Sequence, residues 1–301
     1  MKTSDKTLCV YCAPKYEQLV ITCLNDKKIT FKINDYSFKS AKQYVFCHYR
    51  NSELTKQNRQ YLVSVMARGA HVEPLVSFLD QSLGYTEIDL LHSAYFLHQK
   101  AFGILSKTKS KFEKRIIDFL FIFALALVAL PIGIITAILI KLESKGPIFF
   151  KQKRVGQFNQ EFEVIKFRSM GQDAEKDGAQ WASKNDMRVT RIGKFIRRTR
   201  IDELPQLINV FKGEMSIIGP RPEREVFIQD LEKEIPYYRF RHAVKPGITG
   251  LAQVKYAYGA SVEDAKWKHR FDLYYIKHRN LGLDLKVLLL TFKTVIFGMG
   301  R

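Results

Sequence analysis

Two adjacent carboxylates, Asp202 and Glu203, stand inside a strongly basic stretch that runs RIGKFIRRTRIDELPQLINVFKGEMSIIGPRPERE from Arg191 to Glu225. Neighbouring carboxylates can hold Mg2+, a hard cation that takes oxygen ligands and shares them with phosphates. One such carboxylate could also attack phosphorus and form an acyl phosphate. Arg191, Lys194, Arg197, Arg198 and Arg200 precede the pair, and Arg221 follows inside Gly219-Pro220-Arg221-Pro222. The two prolines restrict the backbone around Arg221, and a guanidinium binds phosphate through two parallel hydrogen bonds. Carboxylates for a metal beside arginines for phosphates suit a diphosphate substrate.

The same residues suggest how they are held. Asp is a good helix N-cap, and Pro205 is tolerated in a first turn. Leu204, Leu207, Ile208 and Phe211 then share one apolar face, and Gly213 can end the helix. The spacing predicts a helix that begins at Asp202, where free N–H groups favour an anion. An ordinary helix with an acidic first turn has the same local pattern; the arginines around it carry the functional reading. Two further clusters are Lys166-Phe167-Arg168-Ser169-Met170 and Lys245-Pro246-Gly247-Ile248-Thr249-Gly250. In a strand, Lys166 and Arg168 point to one face, and the glycines of the second cluster allow close backbone approach to a ligand. Taken alone, each cluster reads as a solvated strand or a structural turn.

The chemistry needs a location. Phe119 to Ile140 reads FLFIFALALVALPIGIITAILI, without a charge. About 20 such residues can cross a bilayer as a helix. Pro131 interrupts the run, and basic residues flank both ends: Lys111, Lys114 and Arg115 before, then Lys141, Lys145, Lys151, Lys153 and Arg154 after. Cytoplasmic flanks carry such charge. A re-entrant helix, broken at Pro131 and returning to the cytoplasmic face, is the economical reading. The basic run from Lys107 to Ile116 suits an anionic headgroup surface.

The 301 residues carry a formal net charge of +19, which calls for an anionic partner: nucleic acid, anionic lipid or a phosphorylated substrate. Cys9, Cys12, Cys23 and Cys47 all lie near the start, which argues against a disulfide framework and suits a reducing compartment. Cys9-x-x-Cys12 reads as a pair of structural thiols rather than half a zinc site. The N-terminus lacks the apolar core and cleavage site of a signal peptide. Residues 1–105 read as a small α/β domain: Leu19–Cys23 and Ile29–Ile33 as short strands, Thr55–Met66 as a helix, and Ala70–Leu83 as a strand followed by a helix. No glycine-rich nucleotide loop occurs in it. Residues 106–301 form the second domain, with the membrane helix at about 116–141. Near its end Trp267, Phe271, Tyr274 and Tyr275 share one helical face, as an interfacial stripe or a core stripe. Leu283–Phe297, with Lys286 and Lys293 one heptad apart, reads as a helix lying in the interface.

Four blocks in order, KLESKGPIFFKQKRVG (141–156), KFRSM (166–170), RIGKFIRRTRIDELPQLINVFKGEMSIIGPRPE (191–223) and KPGITGLAQV (245–254), resemble the bacterial sugar transferases, the monotopic polyprenyl-phosphate phosphoglycosyl transferases. The resemblance covers roughly residues 110 to 301. It implies an α/β or mixed α+β fold: a small Rossmann-like N-terminal module, a shortened remnant of a regulatory domain, ahead of a mainly helical monotopic membrane domain with a re-entrant helix. It implies that an Asp-Glu dyad works with Mg2+, Asp202 being the nucleophile and Glu203 its partner. Arg197 and Arg221 match the phosphate-binding arginines, with Lys166 and Arg168 as further phosphate contacts, and Pro131 matches the helix break. Leu130 stands where family members often have Ser. The implied reaction passes a sugar 1-phosphate from a UDP-sugar through Asp202 to undecaprenyl phosphate, with release of UMP. Its place is the cytoplasmic face of a bacterial inner membrane, against an anionic lipid bilayer. No nucleic acid is expected as a partner, and a homodimer is compatible with the chain. The alternative is a membrane-tethered basic scaffold or nucleic-acid binder; against it, the basic residues gather around carboxylates rather than interleaving with aromatics.

Overall fold

A computed structural model describes residues 7–37, 44–98, 108–174, 176, 178, 186–256, 259 and 261–296, the side chains at 98, 108–111 and 295–296 excepted. Lys107 and Phe297, which bound two of the predicted segments, lie outside these residues. The chain divides into two compact units, Met1–Gln99 and Lys100–Arg301.

The first unit is α/β. Strands β1 (Thr7–Tyr11), β2 (Phe31–Ile33), β3 (Tyr44–His48) and β4 (Val72–Pro74) form a parallel sheet in the order β2-β1-β3-β4. Leu8 lies opposite Phe31 on one side and Val45 on the other. Strand β1 is a continuous apolar run because helices cover a parallel sheet on both faces. Helix α1 (Glu17–Asp26) follows it. The strand expected at Leu19–Cys23 is therefore overturned. Val20, Cys23 and Leu24 are the buried positions, and their i, i+3, i+4 spacing is the helical period. Helix α2 (Lys56–Ala67) begins as expected, with the Thr55 side chain accepting from the Asn58 amide. Strand β4 runs straight into α3 (Leu75–Leu83), and α4 (Ser93–His98) follows. All four cysteines are free and buried. Burial pushes the Cys9, Cys12 and Cys23 thiols up to about 12, so they behave as small apolar groups.

The second unit is mainly helical. Helix α5 (Thr108–Glu143) stays helical through Pro131. Its stretch Phe112–Glu143 is long and apolar enough to cross a membrane, and 6% of its apolar 18-residue window is buried within the structure. Both ends of α5 nevertheless touch this unit. Near its start Arg115 donates to the Val210 and Phe211 carbonyls, at 2.6 and 2.7 Å, and buried Asp118 accepts from the Ser216 hydroxyl and the Ile217 amide. Near its end Ile140 packs with Phe167 and Ile196. Between them Phe123, Leu127, Leu130, Ile134 and Ile138 are exposed.

After α5 come an antiparallel hairpin, β5 (Phe149–Val155) and β6 (Glu161–Phe167), and helices α6 (Arg191–Arg198) and α7 (Gln206–Lys212). Strands β7 (Ser216–Ile218) and β8 (Gly247–Thr249) pair in parallel, with α8 (Glu225–Glu234) between them in sequence. Helices α9 (Leu251–Lys255), α10 (Val262–His278) and α11 (Leu281–Ile296) close the unit. Val164, Val210, Met215, Ile217, Leu251, Tyr275 and Val287 form its core. The aromatic stripe of α10 turns inward: Tyr275 is buried there, and Phe271 and Tyr274 pack against the same cluster. Helix α11 keeps the amphipathic character expected of it, with Leu281, Leu285, Leu289 and Phe292 exposed beside exposed Lys286 and Lys293.

Candidate active site

Asp202 and Glu203 do not cap α7. They occupy a single 3-10 turn, Ile201–Glu203, and Pro205 takes the N-cap position of the seven-residue helix. The sequence reading placed the helix start three residues early, because a 3-10 turn and an α-helical first turn share their residue preferences. Arg200, in left-handed conformation at φ 61°, turns the chain out of α6 into this turn. Ile196, Ile201 and Leu204 pack with Phe167 and hold it in place.

The opposite wall is β6. Fully buried Asn209 on α7 fixes the register between the two elements. Its side chain accepts from the Ile165 amide at 3.1 Å and donates to the Glu163 carbonyl at 2.7 Å. Lys166, next along the strand, thereby meets Glu203. Its Nζ lies 3.5 Å from Glu203 Oε1, the Arg221 guanidinium donates to the same oxygen at 2.8 Å, and Arg200 stands 3.6 Å away.

The Arg221 loop is fixed from behind. β7 and β8 approach so closely that a Cβ on Gly247 would lie 2.1 Å from the Gly219 nitrogen. The Gly219 amide donates to Thr249, and the Gly247 amide to Pro220. The KPGITG cluster thus approaches the Gly-Pro-Arg-Pro loop itself. Buried Arg241 donates to the Arg221 carbonyl at 3.0 Å and to the Tyr238 hydroxyl, and pairs with buried Asp272 at 2.8 Å. Arg154 and the Val155 amide hold Pro222 and Glu223.

The two carboxylates are both buried but differ in their company. Burial would raise Glu203, yet Arg221, Lys166 and Arg200 outweigh it and hold its carboxyl well below the usual range. Asp202 is pushed the other way, by burial and then by the Glu203 charge, against the pull of the same cations. Its Oδ1 is buried with no hydrogen-bond partner. Burial lowers Lys166 to about 8, with the neighbouring Glu203 acting against the shift.

Of the other residues singled out, Arg168 lies just past the end of β6. Its guanidinium donates to the Ser144 and Lys145 carbonyls, at 2.9 Å each, and to the Ser144 hydroxyl, so it closes off the end of α5. Arg197 is half-buried on α6, where its charge acts on Asp186. Arg200, one of the basic residues that precede the dyad, takes the place beside Glu203 that its i, i+3 spacing allows. Nothing local in the sequence marked Asn209, Arg241 or Asp272. Among the described residues no group of three or more His, Cys, Asp or Glu could hold a metal ion. A divalent cation at the dyad would take its remaining ligands from water and substrate, the usual habit of Mg2+, and the unpartnered Asp202 oxygen fits that role.

A buried, unequal carboxylate pair ringed by three cations is the arrangement expected of a phosphoryl-transfer site. A family model of the bacterial sugar transferases matches residues 109–298, and the chain belongs to that family. It is 48% identical over 206 residues to the UDP-N-acetylgalactosamine-undecaprenyl-phosphate N-acetylgalactosaminephosphotransferase of Aeromonas hydrophila, a match covering 68% of this chain and 48% of that protein. It is 44% identical over 191 residues to the undecaprenyl-phosphate glucose phosphotransferase of Komagataeibacter xylinus, covering 62% and 36%. With the UDP-glucose:undecaprenyl-phosphate glucose-1-phosphate transferase of Caulobacter vibrioides it shares 36% identity over 211 residues, covering 69% and 79%. The chain thus spans about half or less of the first two relatives and most of the third.

Proposed function

We propose that this protein transfers a sugar 1-phosphate from a UDP-sugar to undecaprenyl phosphate, with Asp202 as nucleophile. The observation that carries the assignment is the asymmetry of the dyad: Glu203 is bound by three cations, while Asp202 keeps a buried oxygen without a hydrogen bond. An Asp202 oxygen attacks the phosphorus attached to the sugar, the bond from that phosphorus to the bridging oxygen breaks, and UMP leaves. An oxygen of undecaprenyl phosphate then attacks the same phosphorus and releases Asp202. Arg221 and Lys166 neutralise phosphate charge, and Lys166 can supply a proton to the departing phosphate. Glu203 holds both cations in position. Asp202 and Glu203 would hold Mg2+, which when bound supplies further charge neutralisation. The relatives' names divide between N-acetylgalactosamine and glucose, so the donor is read by testing both UDP-sugars for UMP release.

Enzyme incubated with UDP-sugar and no lipid acceptor is expected to gain the mass of one sugar phosphate, and the Asp202→Asn protein is not. An unchanged mass in the native enzyme that still forms product would overturn the covalent scheme.

The same reading places the site at a membrane surface. Support comes from α5, whose two ends are held by one unit while its apolar middle is exposed, and from the exposed apolar stripe of α11. The helix enters and leaves through one face, with the bend at Pro131, which lacks an amide for the helix ladder. Glu113→Cys and Lys145→Cys should react with an impermeant thiol reagent from the same, cytoplasmic, side of the inner membrane; labelling from opposite sides rules re-entry out.

A further inference from the structure

Arg115 and Lys245 come from distant parts of the chain and meet at Gly213, just past the end of α7. The position that a Cβ on Gly213 would take lies 3.3 Å from Arg115 Nη2 and 3.4 Å from Lys245 Nζ, so the two cations flank one atom-sized space. Arg115 also donates to the Val210 and Phe211 carbonyls and lies over the Phe119 ring, 4.3 Å from its centroid. Lys245 has no such engagement. It is half-buried, yet among the described residues it makes no hydrogen bond and no ion pair. Its backbone is pinned through Pro246, whose carbonyl accepts from the Ser216 amide at 2.8 Å. Burial first, and then the Arg115 charge, lower its pKa, while Asp118 pulls the other way. A half-buried ammonium held against a guanidinium is unfavourable unless an anion joins them.

The nearby carboxylates are already engaged. Asp118 accepts from the Ser216 hydroxyl and the Ile217 amide and faces Lys114 at 3.6 Å, and Asp284 pairs with Lys114 at 2.8 Å. Lys114, Arg115 and Lys245 against Asp118 and Asp284 leave one positive charge. Apolar groups flank the pair. Phe119 and Phe211, both exposed, meet edge to face at 5.7 Å, and Leu120 is exposed next to Phe119. The cations thus stand where the charged lead-in of α5 gives way to its uncharged run from Phe119 to Ile140. With that run in a bilayer, this is the depth of the headgroups. The dyad lies elsewhere. At about 1.5 Å per helical residue, the stretch from Glu203 to Gly213 spans roughly 15 Å, so a phosphate at Gly213 is not the one that reacts.

We propose that Arg115 and Lys245 form a site for the phosphodiester headgroup of an anionic phospholipid, which bridges the two cations at Gly213 while its acyl chains lie against Phe119, Leu120 and Phe211. A phosphodiester carries the single negative charge that balances the cluster, whereas a zwitterionic lipid adds an ammonium that the cations repel. The inference rests on the reading of α5 as a membrane-inserted helix. The lipid is a structural one, seated between α5, α7 and the segment entering β8, and is separate from the acceptor that the reaction consumes.

The test uses the full chain in a non-ionic detergent at an ionic strength of about 0.15 M, where general surface attraction is screened. It is titrated separately with dioctanoyl phosphatidylglycerol, dioctanoylglycerol and inorganic phosphate, and native mass spectrometry counts the bound molecules. Saturable binding of one phosphatidylglycerol per chain is expected. Lys245→Gln should weaken it about tenfold or more, the value of a charge-assisted hydrogen bond, and Lys245→Arg should retain it. Lys286→Gln, which removes an exposed cation from α11, should leave it unchanged. Equal binding of dioctanoylglycerol or of inorganic phosphate overturns the proposal, as does an equal loss in Lys286→Gln. Undiminished binding in Lys245→Gln with its helices intact by circular dichroism overturns it too. If Lys245→Gln does not fold, the wild-type protein decides with dioctanoyl phosphatidylcholine: binding equal to that of phosphatidylglycerol overturns the site. Sedimentation with phosphatidylglycerol vesicles keeps the two readings apart, since wild type and Lys245→Gln should both sediment through α5. Wild type that stays in solution overturns the membrane reading and this site with it, whereas sedimentation of both proteins without a Lys245-dependent lipid overturns the site alone.

Discussion

Two buried charge clusters meet at Arg221, and they are built on opposite principles. In front, Lys166, Arg200 and Arg221 surround Glu203 and Asp202: three cations against two carboxylates, with one carboxylate oxygen unpartnered. Behind, Arg241 pairs with Asp272 and donates to Tyr238, while burial keeps His242 and His269 neutral, each lowered to about 3. The rear cluster balances itself. The front cluster is balanced only when an anion arrives. The link is one hydrogen bond, from Arg241 to the Arg221 carbonyl. A site for a charged substrate thus keeps its excess charge apart from the charges that hold the backbone.

Removing the unpartnered group in front should stop the chemistry and spare the fold. Asp202→Asn is expected to lower UMP release by roughly three orders of magnitude or more, as loss of a nucleophile does. Because burial and Glu203 already disfavour its charge, the unfolding midpoint should hold or rise. A falling midpoint would mean that Asp202 belongs with the scaffold. The rear cluster should behave in the opposite way. Arg241→Leu leaves Asp272 buried and uncompensated, a loss of about 3–5 kcal/mol, read in chemical denaturation. Arg241→Leu/Asp272→Leu should recover much of that stability; activity should not return with it, because the Arg221 carbonyl stays without its donor.

The contrast extends to pH. His242 faces Arg241, Arg239, Glu225 and the Asn159 side chain. Its folded value of about 3 lies below the ordinary 6.5, so below pH 6.5 the unfolded chain takes a proton that the folded chain refuses. Stability is lost as pH falls from 6.5 towards 3. Asp272, raised by burial to about 6, takes its proton in the folded state over part of this range and offsets some of the loss. The comparison is therefore with His242→Asn, which retains a polar contact for Asn159. Relative to wild type, this variant should gain about 1.4 kcal/mol per pH unit below 6.5. Parallel stability curves would mean that His242 is protonated in the fold.

The front cluster was legible in the sequence because its parts are dense and local. Asp202, Glu203 and Arg221 fall within twenty residues, and Lys166 sits in a short basic block. The rear cluster was not, because Arg241 and Asp272 are brought together by packing of α10 against the turn at Tyr238–Ala243, and neither has a distinctive neighbour in sequence. Asn209 was hidden for the same reason: its partners are main-chain atoms of β6, which no side-chain pattern reveals. Periodicity served α2 and α3 well but misread Leu19–Cys23, where a short apolar run fits either period until the helix is followed to Asp26.

Arg168 tests where the boundary between the two kinds of charge lies. In sequence it stands two residues from Lys166 and suggests a second phosphate ligand. In the fold it is 7% exposed and its guanidinium donates to Ser144 and Lys145. A lysine has one ammonium where arginine has a fork, so Arg168→Lys cannot reach both carbonyls. The loss of a charge-assisted bond to a buried carbonyl is worth about 1–3 kcal/mol. Arg168→Lys should therefore lower stability by that amount and leave KM for the UDP-sugar unchanged. A raised KM with an unchanged melting midpoint would move Arg168 into the front cluster. The excess of cations over carboxylates there would then be four to two rather than three to two, and the end of α5 would have to be held by something other than this guanidinium.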